Sequence, residues 1–204
     1  MSAMRRVLPL ALCIGALVTT ASCGDGNNNV FADAQWQARC PPGVAGCSFN
    51  GDPVDVFNFD GEEDEETGKT TVARCSVVDS GETRIIGFQV GLGTGAGDPQ
   101  LSGNGLTTGI DGGRVGGSGC TISVRDDNTI YTGACGANEP SAAQPCRVGP
   151  IVIDRDAMDG PEMLIPIECR ELPSPSGTAV PPRDITFPMM PTQPANLRLI
   201  NCDI

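Results

Sequence analysis

Ten cysteines on a 204-residue chain that contains no histidine constrain this fold more than any other feature. The closest two, Cys40 and Cys47, are too far apart for a C-x-x-C pair, and zinc's usual nitrogen ligand is missing altogether. Metal clusters are therefore a poor account of these cysteines, and disulfides formed in an oxidising compartment a good one. The N-terminus supplies the route to such a compartment. Arg5 and Arg6 precede an apolar run, Val7 to Val18, and small residues then lead to Cys23. These are the parts of an export signal over residues 1–22. The run is too short to remain as a span across ~30 Å of hydrocarbon. Cys13 leaves with that leader and Cys23 stands apart. The other eight, Cys40, Cys47, Cys75, Cys120, Cys135, Cys146, Cys169 and Cys202, are expected to form four disulfides.

Connectivity is partly readable. Cys40 and Cys47 close a short Pro/Gly loop that their own ends can staple. Cys120 and Cys135 flank a hairpin pattern, and a two-residue turn at Asp127-Asn128 sets them opposite one another. Cys135 and Cys146 also bracket a short loop, so both partners stay open for Cys135. The wide spacing of Cys75, Cys169 and Cys202 calls for at least one bridge between distant strands.

The segment Thr20-Ala21-Ser22-Cys23 resembles the lipobox of bacterial lipoproteins, which reads Leu, a small residue, Gly or Ala, then Cys. It departs from that pattern at Thr20 and Ser22, and the resemblance covers only the leader. It implies a diacylglyceryl group on the Cys23 sulfur and an acyl chain, such as palmitate, on its α-amine. Two or more chains hold a protein stably at a membrane where one does not. Gly24 occupies the place of the acidic inner-membrane retention residue, so the implied address is the outer membrane of the cell envelope. The alternative is an ordinary small-residue cleavage site and a soluble secreted protein.

Beyond the leader, residues 23–39 read as a lipid-anchored tether with a possible short helix anchored by Phe31 and Trp36. Residues 40–204 read as one disulfide-rich β-domain. Strands are expected at Val54 to Phe59, Thr71 to Val78, Arg84 to Leu92, Cys120 to Arg125 and Thr129 to Ala134. Arg147 to Asp154 and Met163 to Leu172 should form a further antiparallel pair, and Asn196 to Cys202 closes the chain. No long window carries a 3.6-residue apolar period. The expected fold class is all-β, an antiparallel, jelly-roll-like sandwich. Pro173 to Pro194, with seven prolines, reads as an extended connection.

The charge balance narrows function. Twenty-five acidic residues face 13 basic ones, two of which fall in the leader. So acidic a protein repels nucleic acid and anionic surfaces. Absence of histidine excludes Ser-His-Asp and Cys-His machinery. The densest charge run, Asp60 to Glu66, reads as a solvated, mobile loop or, alternatively, as a calcium site. Asp154, Asp156 and Asp159 form a distorted calcium-loop pattern with one residue too many and no closing acid. A hairpin turn is the plainer account there, as at Asp126-Asp127-Asn128. Gly91 to Gly97 and Gly112 to Gly119 read as flexible sheet connections, since neither opens a helix as a phosphate loop does.

These features all concern location and durability. The expectation is a non-enzymatic envelope lipoprotein with a structural or binding role, no cofactor, and an envelope protein or polysaccharide as partner. A calcium-dependent adhesion or glycan-binding module is the first alternative. A carboxylate-based hydrolase is the second.

Overall fold

The computed structural model describes residues 29–47, 50–116, 119–176, 179–186 and 197–202, so the leader and Cys23 lie outside the described residues. The first strands are β1 (Phe31–Arg39), β2 (Val54–Phe59), β3 (Thr71–Ser80), β4 (Thr83–Leu92), β5 (Gln100–Gly109), β6 (Gly112–Gly116) and β7 (Thr121–Asp126). They are followed by β8 (Thr129–Gly136), β9 (Cys146–Val148), β10 (Ile151–Asp154), β11 (Glu162–Leu164), β12 (Ile167–Leu172), β13 (Arg183–Thr186) and β14 (Leu197–Ile200). The fold is all-β and sandwich-like, as expected.

The short helix expected near Phe31 is instead β1. Its residues alternate with period two: Ala32, Ala34, Trp36 and Ala38 are buried in the core, and Gln35 and Gln37 face the other way. Alanine favours helices in isolation, which obscures the pattern. Pairing on both edges overrides that preference. β1 pairs with β2 along Phe31 to Trp36, with β14 along Phe31 to Ala34, and with β13 along Gln37 to Arg39. It is an interior strand, so the domain starts at β1 and not at residue 40. β13 likewise interrupts the proline-rich connection expected from Pro173 onward.

The strand pairings form a closed circuit. They run β5-β6-β10-β11-β14-β1-β13-β12-β9-β8-β7, and β7 pairs back onto β5. β4 and then β3 extend from β5, and β2 extends from β1. Among the described residues all pairings of these strands are antiparallel except β8 with β9. Closure removes most of the free edges that make sheets associate.

Bends at fixed places let the circuit close. β9 and β10 are one run broken at Gly149-Pro150, opposite a matching break at Ile165-Pro166 between β11 and β12. Proline brings no N–H to the ladder. Gly149 N donates to the Pro166 carbonyl at 2.8 Å, and a side chain at Gly149 would press on the Pro166 ring. The antiparallel pair expected over these residues is therefore present but bent, and its halves join different neighbours. A second bend lies on β5, whose one edge pairs first with β7 and then with β6. The changeover is at Gly105, at φ +68°, where a Cβ would stand 2.8 Å from the Gly119 carbonyl oxygen.

Glycine also explains why β5 and β6 are hard to read. Gly112 to Gly119 looks like a connection, yet Gly112–Gly116 is β6. In β5, Gly103 faces Phe88 of β4, whose ring fills the space a side chain there would need. The apolar group is supplied from across the ladder, so the strand's own sequence lacks it.

Four disulfides hold this circuit: Cys40–Cys47, Cys75–Cys202, Cys120–Cys135 and Cys146–Cys169. The hairpin register is the one the turn dictates, with Asp126 opposite Thr129 and Cys135 N donating to Cys120 O at 3.0 Å. Cys135 therefore takes Cys120, and Cys146 takes its register partner Cys169. Cys75–Cys202 is different in kind. It joins β3 to the end of β14, and five strands separate these two along the pairing path. Cys75 packs against the buried cluster that contains Cys202, so this bridge crosses the interior.

Loop-closure entropy ranks the bridges. Closing the 127-residue separation of Cys75–Cys202 stabilises by about 5 kcal/mol, against about 2 kcal/mol for the 7-residue separation of Cys40–Cys47. Replacing both Cys75 and Cys202 with alanine should lower the denaturant midpoint far more than replacing Cys40 and Cys47. Equal losses in equilibrium unfolding would contradict the cross-interior role.

Candidate interaction surface

Four connections converge at one place on the molecule. They are the lead-in to β2 (Asn50 to Pro53), the β2–β3 loop, the β4–β5 loop and the β7–β8 turn. Each is tied to another. The Asp126 carboxylate lies against the Cα of Gly51, leaving no room for a side chain there. Lys69 pairs with Asp98 at 2.8 Å, Arg125 Nη1 donates to the Gly95 carbonyl at 3.2 Å, and Gly93 N donates to Thr70 O at 2.7 Å.

Between them runs a groove of about 900 Å³. Asp52, Asp55, the run Glu62 to Glu66, and Asp126 with Asp127 give it nine carboxylates, and among the described residues Lys69 is the one basic residue lining it. That lysine is engaged by Asp98, so the groove is strongly negative.

The charge run lies in the β2–β3 loop, as expected from its composition, and hydrogen bonds tie that loop together. Asp64 accepts from the Thr67 backbone N–H at 2.8 Å and from its hydroxyl at 2.7 Å, and Asp64 N donates to Lys69 O at 2.8 Å. Glu63 and Thr70 form an isolated bridge, and Asp60 Oδ1 accepts from Ala73 N at 2.8 Å. The Thr67 side chain, then its backbone N–H, hold the Asp64 carboxyl below the ordinary range. Lys69, then the Gly95 N–H, do the same for Asp98. Asp126 goes the other way: partial burial pushes it up first and the charge of Asp127 next, against the pull of Arg183.

Along this groove stands β2, which pairs only with β1 among the described strands. Three phenylalanines share one face of the β1–β2 pair. Phe31 meets Phe57 edge-on with ring centroids 4.9 Å apart, and Phe59 at 5.1 Å. Phe57 is 67% exposed and Phe59 37%, in a chain with only six phenylalanines. Phe57 also lines the groove. Acid and aromatic surface are therefore contiguous.

A second, polar surface, free of the acidic cluster, lies on the outer side of β3, β4, β5, β7 and β8. Arg74, Gln89, Ser102, Ser123 and Thr132 follow one another in register across these five strands. A shallow depression of about 370 Å³ lies there, and Ser123 and Thr132 share a hydrogen bond at 2.9 Å.

The candidate calcium ligands are not brought together. Asp154 Oδ1 accepts from Asp156 N at 3.0 Å as a turn cap, and Asp159 points toward Arg198, 3.9 Å away. No three of Asp, Glu and Cys cluster to hold a metal ion among the described residues, Asp60 to Glu66 included. No known protein family, characterised protein or solved structure matches the chain.

Asp126 generates a pH prediction. Its carboxyl holds a proton more tightly folded than unfolded, so its ionisation costs stability. That cost sets in as pH rises from the ordinary carboxylate range through the folded value, and it is complete at neutral pH. Asp126→Asn should therefore raise the Tm by a few degrees at pH 7 and leave it unchanged near pH 3. An unchanged or lower Tm at pH 7 in a calorimetric series would contradict this electrostatic account.

Proposed function

We propose that this chain is a non-enzymatic lipoprotein of the bacterial cell envelope. In this reading Cys23 carries the lipid at the outer membrane, residues 24–30 give reach, and the closed β-domain presents a binding surface. The observation that carries the binding role is the acidic groove with Phe57 on its rim: exposed aromatic surface beside unneutralised charge is costly to keep unless a partner covers it. Seven extended residues reach about 25 Å, so a partner bound near Phe31 would be held close to the membrane. Chemistry in the groove would rest on carboxylates, since histidine is absent from the chain.

A glycan-binding reading draws on the register-aligned amide and hydroxyls of Gln89, Ser102, Ser123 and Thr132 on the second face. Depletion of the protein onto purified envelope polysaccharide, lost on replacing Gln89 and Ser102 with alanine, would favour it over a protein partner.

Mass spectrometry of protein recovered from its native membrane fraction tests the anchoring. The expected mass is that of a chain starting at a lipid-modified Cys23 with the other eight cysteines paired. An unmodified N-terminus or free thiols among the eight would overturn it.

A further inference from the structure

We infer that the groove beside β2 takes an extended, cationic segment of a partner protein, laid along the unpaired edge of β2. This rests on the binding role proposed above and names the class of partner. Three separate observations converge on it. The first is the edge itself: among the described strands β2 pairs on one side alone, with β1, and since Phe59 N–H donates to Asn58 Oδ1 and Phe59 O accepts from Glu62 N, the edge on offer is the stretch Val54 to Asn58. A free strand edge is a template for an incoming extended chain, whose backbone supplies affinity while alternate side chains supply specificity.

The second observation is the anchor. Phe31 sits between Phe57 and Phe59 and holds both edge-on, so the exposed Phe57 ring is already positioned and loses little freedom when covered. Such preorganised aromatic surface is what binding hot spots are made of.

The third is charge. Nine carboxylates line the groove and its lysine is bound to Asp98. Several acids are committed to the fold: Asp64 caps its own turn, and Asp55 accepts from Gln35 Nε2 at 3.3 Å. Glu62, Glu65 and Glu66 are exposed on the same loop. Basic side chains alternating along a strand on β2 would meet these acids, and an apolar side chain would meet Phe57. The potential also steers a cationic partner in and turns acidic ones away. An anionic membrane surface is disfavoured for the same reason, although the tether brings the patch near one.

Two measurements test this on the protein in its natively processed, disulfide-bonded form. The probes are a labelled ten-residue peptide of alternating lysine and leucine, its glutamate–leucine counterpart, and vesicles of phosphatidylethanolamine with phosphatidylglycerol. By anisotropy, the lysine peptide should bind and the glutamate peptide should not. Phe57→Ala alone, and Glu62→Gln with Glu65→Gln and Glu66→Gln together, should each weaken binding by about tenfold. These positions are exposed, so the variants should stay folded, Phe57→Ala losing only its edge-on contact with Phe31. The proposal is overturned if lysine and glutamate peptides bind alike, or if Phe57→Ala leaves binding unchanged. It is equally overturned if Phe57→Ala abolishes vesicle binding but not peptide binding.

In cells, a photo-crosslinking amino acid at position 57 should capture a protein that is lost on neutralising the three glutamates. Capture that persists at Gln89 and not at position 57 would leave the binding role standing and sink this site.

Discussion

The structure depends on one constraint: a single covalent bridge, Cys75–Cys202, holds the far arm of the sheet to the end of the last strand through the core. The ladder alone connects these places by way of β4, β5, β6, β10 and β11, or the longer way round from β5 through β7, β8, β9, β12, β13 and β1. On the shorter route β6, β10 and β11 are only three to five residues long, so each contributes little pairing of its own. The bridge adds a covalent link across that route and fixes its span. The other disulfides act locally, on the hairpin of β7 and β8, on the β9–β12 pair and on the loop after β1.

Closure in turn positions the interaction surface. A circuit with defined bends brings four connections to one end, although they come from residues as far apart as Asn50 and Asp127. The acids are repelled from one another yet held together, because the loops that bear them are tied by Asp64 to Thr67, Lys69 to Asp98 and Arg125 to Gly95. Asp126 feels the result most, since it is both partly buried and next to Asp127.

Much of the fold is legible in the sequence where local chemistry decides it. The turn at Asp127-Asn128 fixes the register of Cys120 and Cys135, and the apolar alternation of Arg84 to Leu92 marks β4. The even number of cysteines after Cys23 announces four bridges. Legibility fails where a residue's role is set from elsewhere. β1 alternates cleanly, but its alanines suggest a helix until both its edges are seen to be paired. β5 lacks a side chain at Gly103 because Phe88 fills that space from the next strand. The acidic run Asp60 to Glu66 is conspicuous, yet nothing in the sequence shows that Asp126 and Asp127 stand beside it. Phe57 reads as an ordinary strand residue. Its exposure follows from β2 lying at an edge, which is a property of the topology.

The central claim is that β1 is threaded through the middle of a closed circuit and carries the binding edge on its flank. Backbone hydrogen exchange resolved by residue tests it most directly. Amides of Ala32 to Trp36 should rank with those of the β4–β5 ladder as the slowest in the protein. If they exchange at the rate of an exposed loop, β1 is a tether after all, and the circuit, the edge on β2 and the surface built on it fall together.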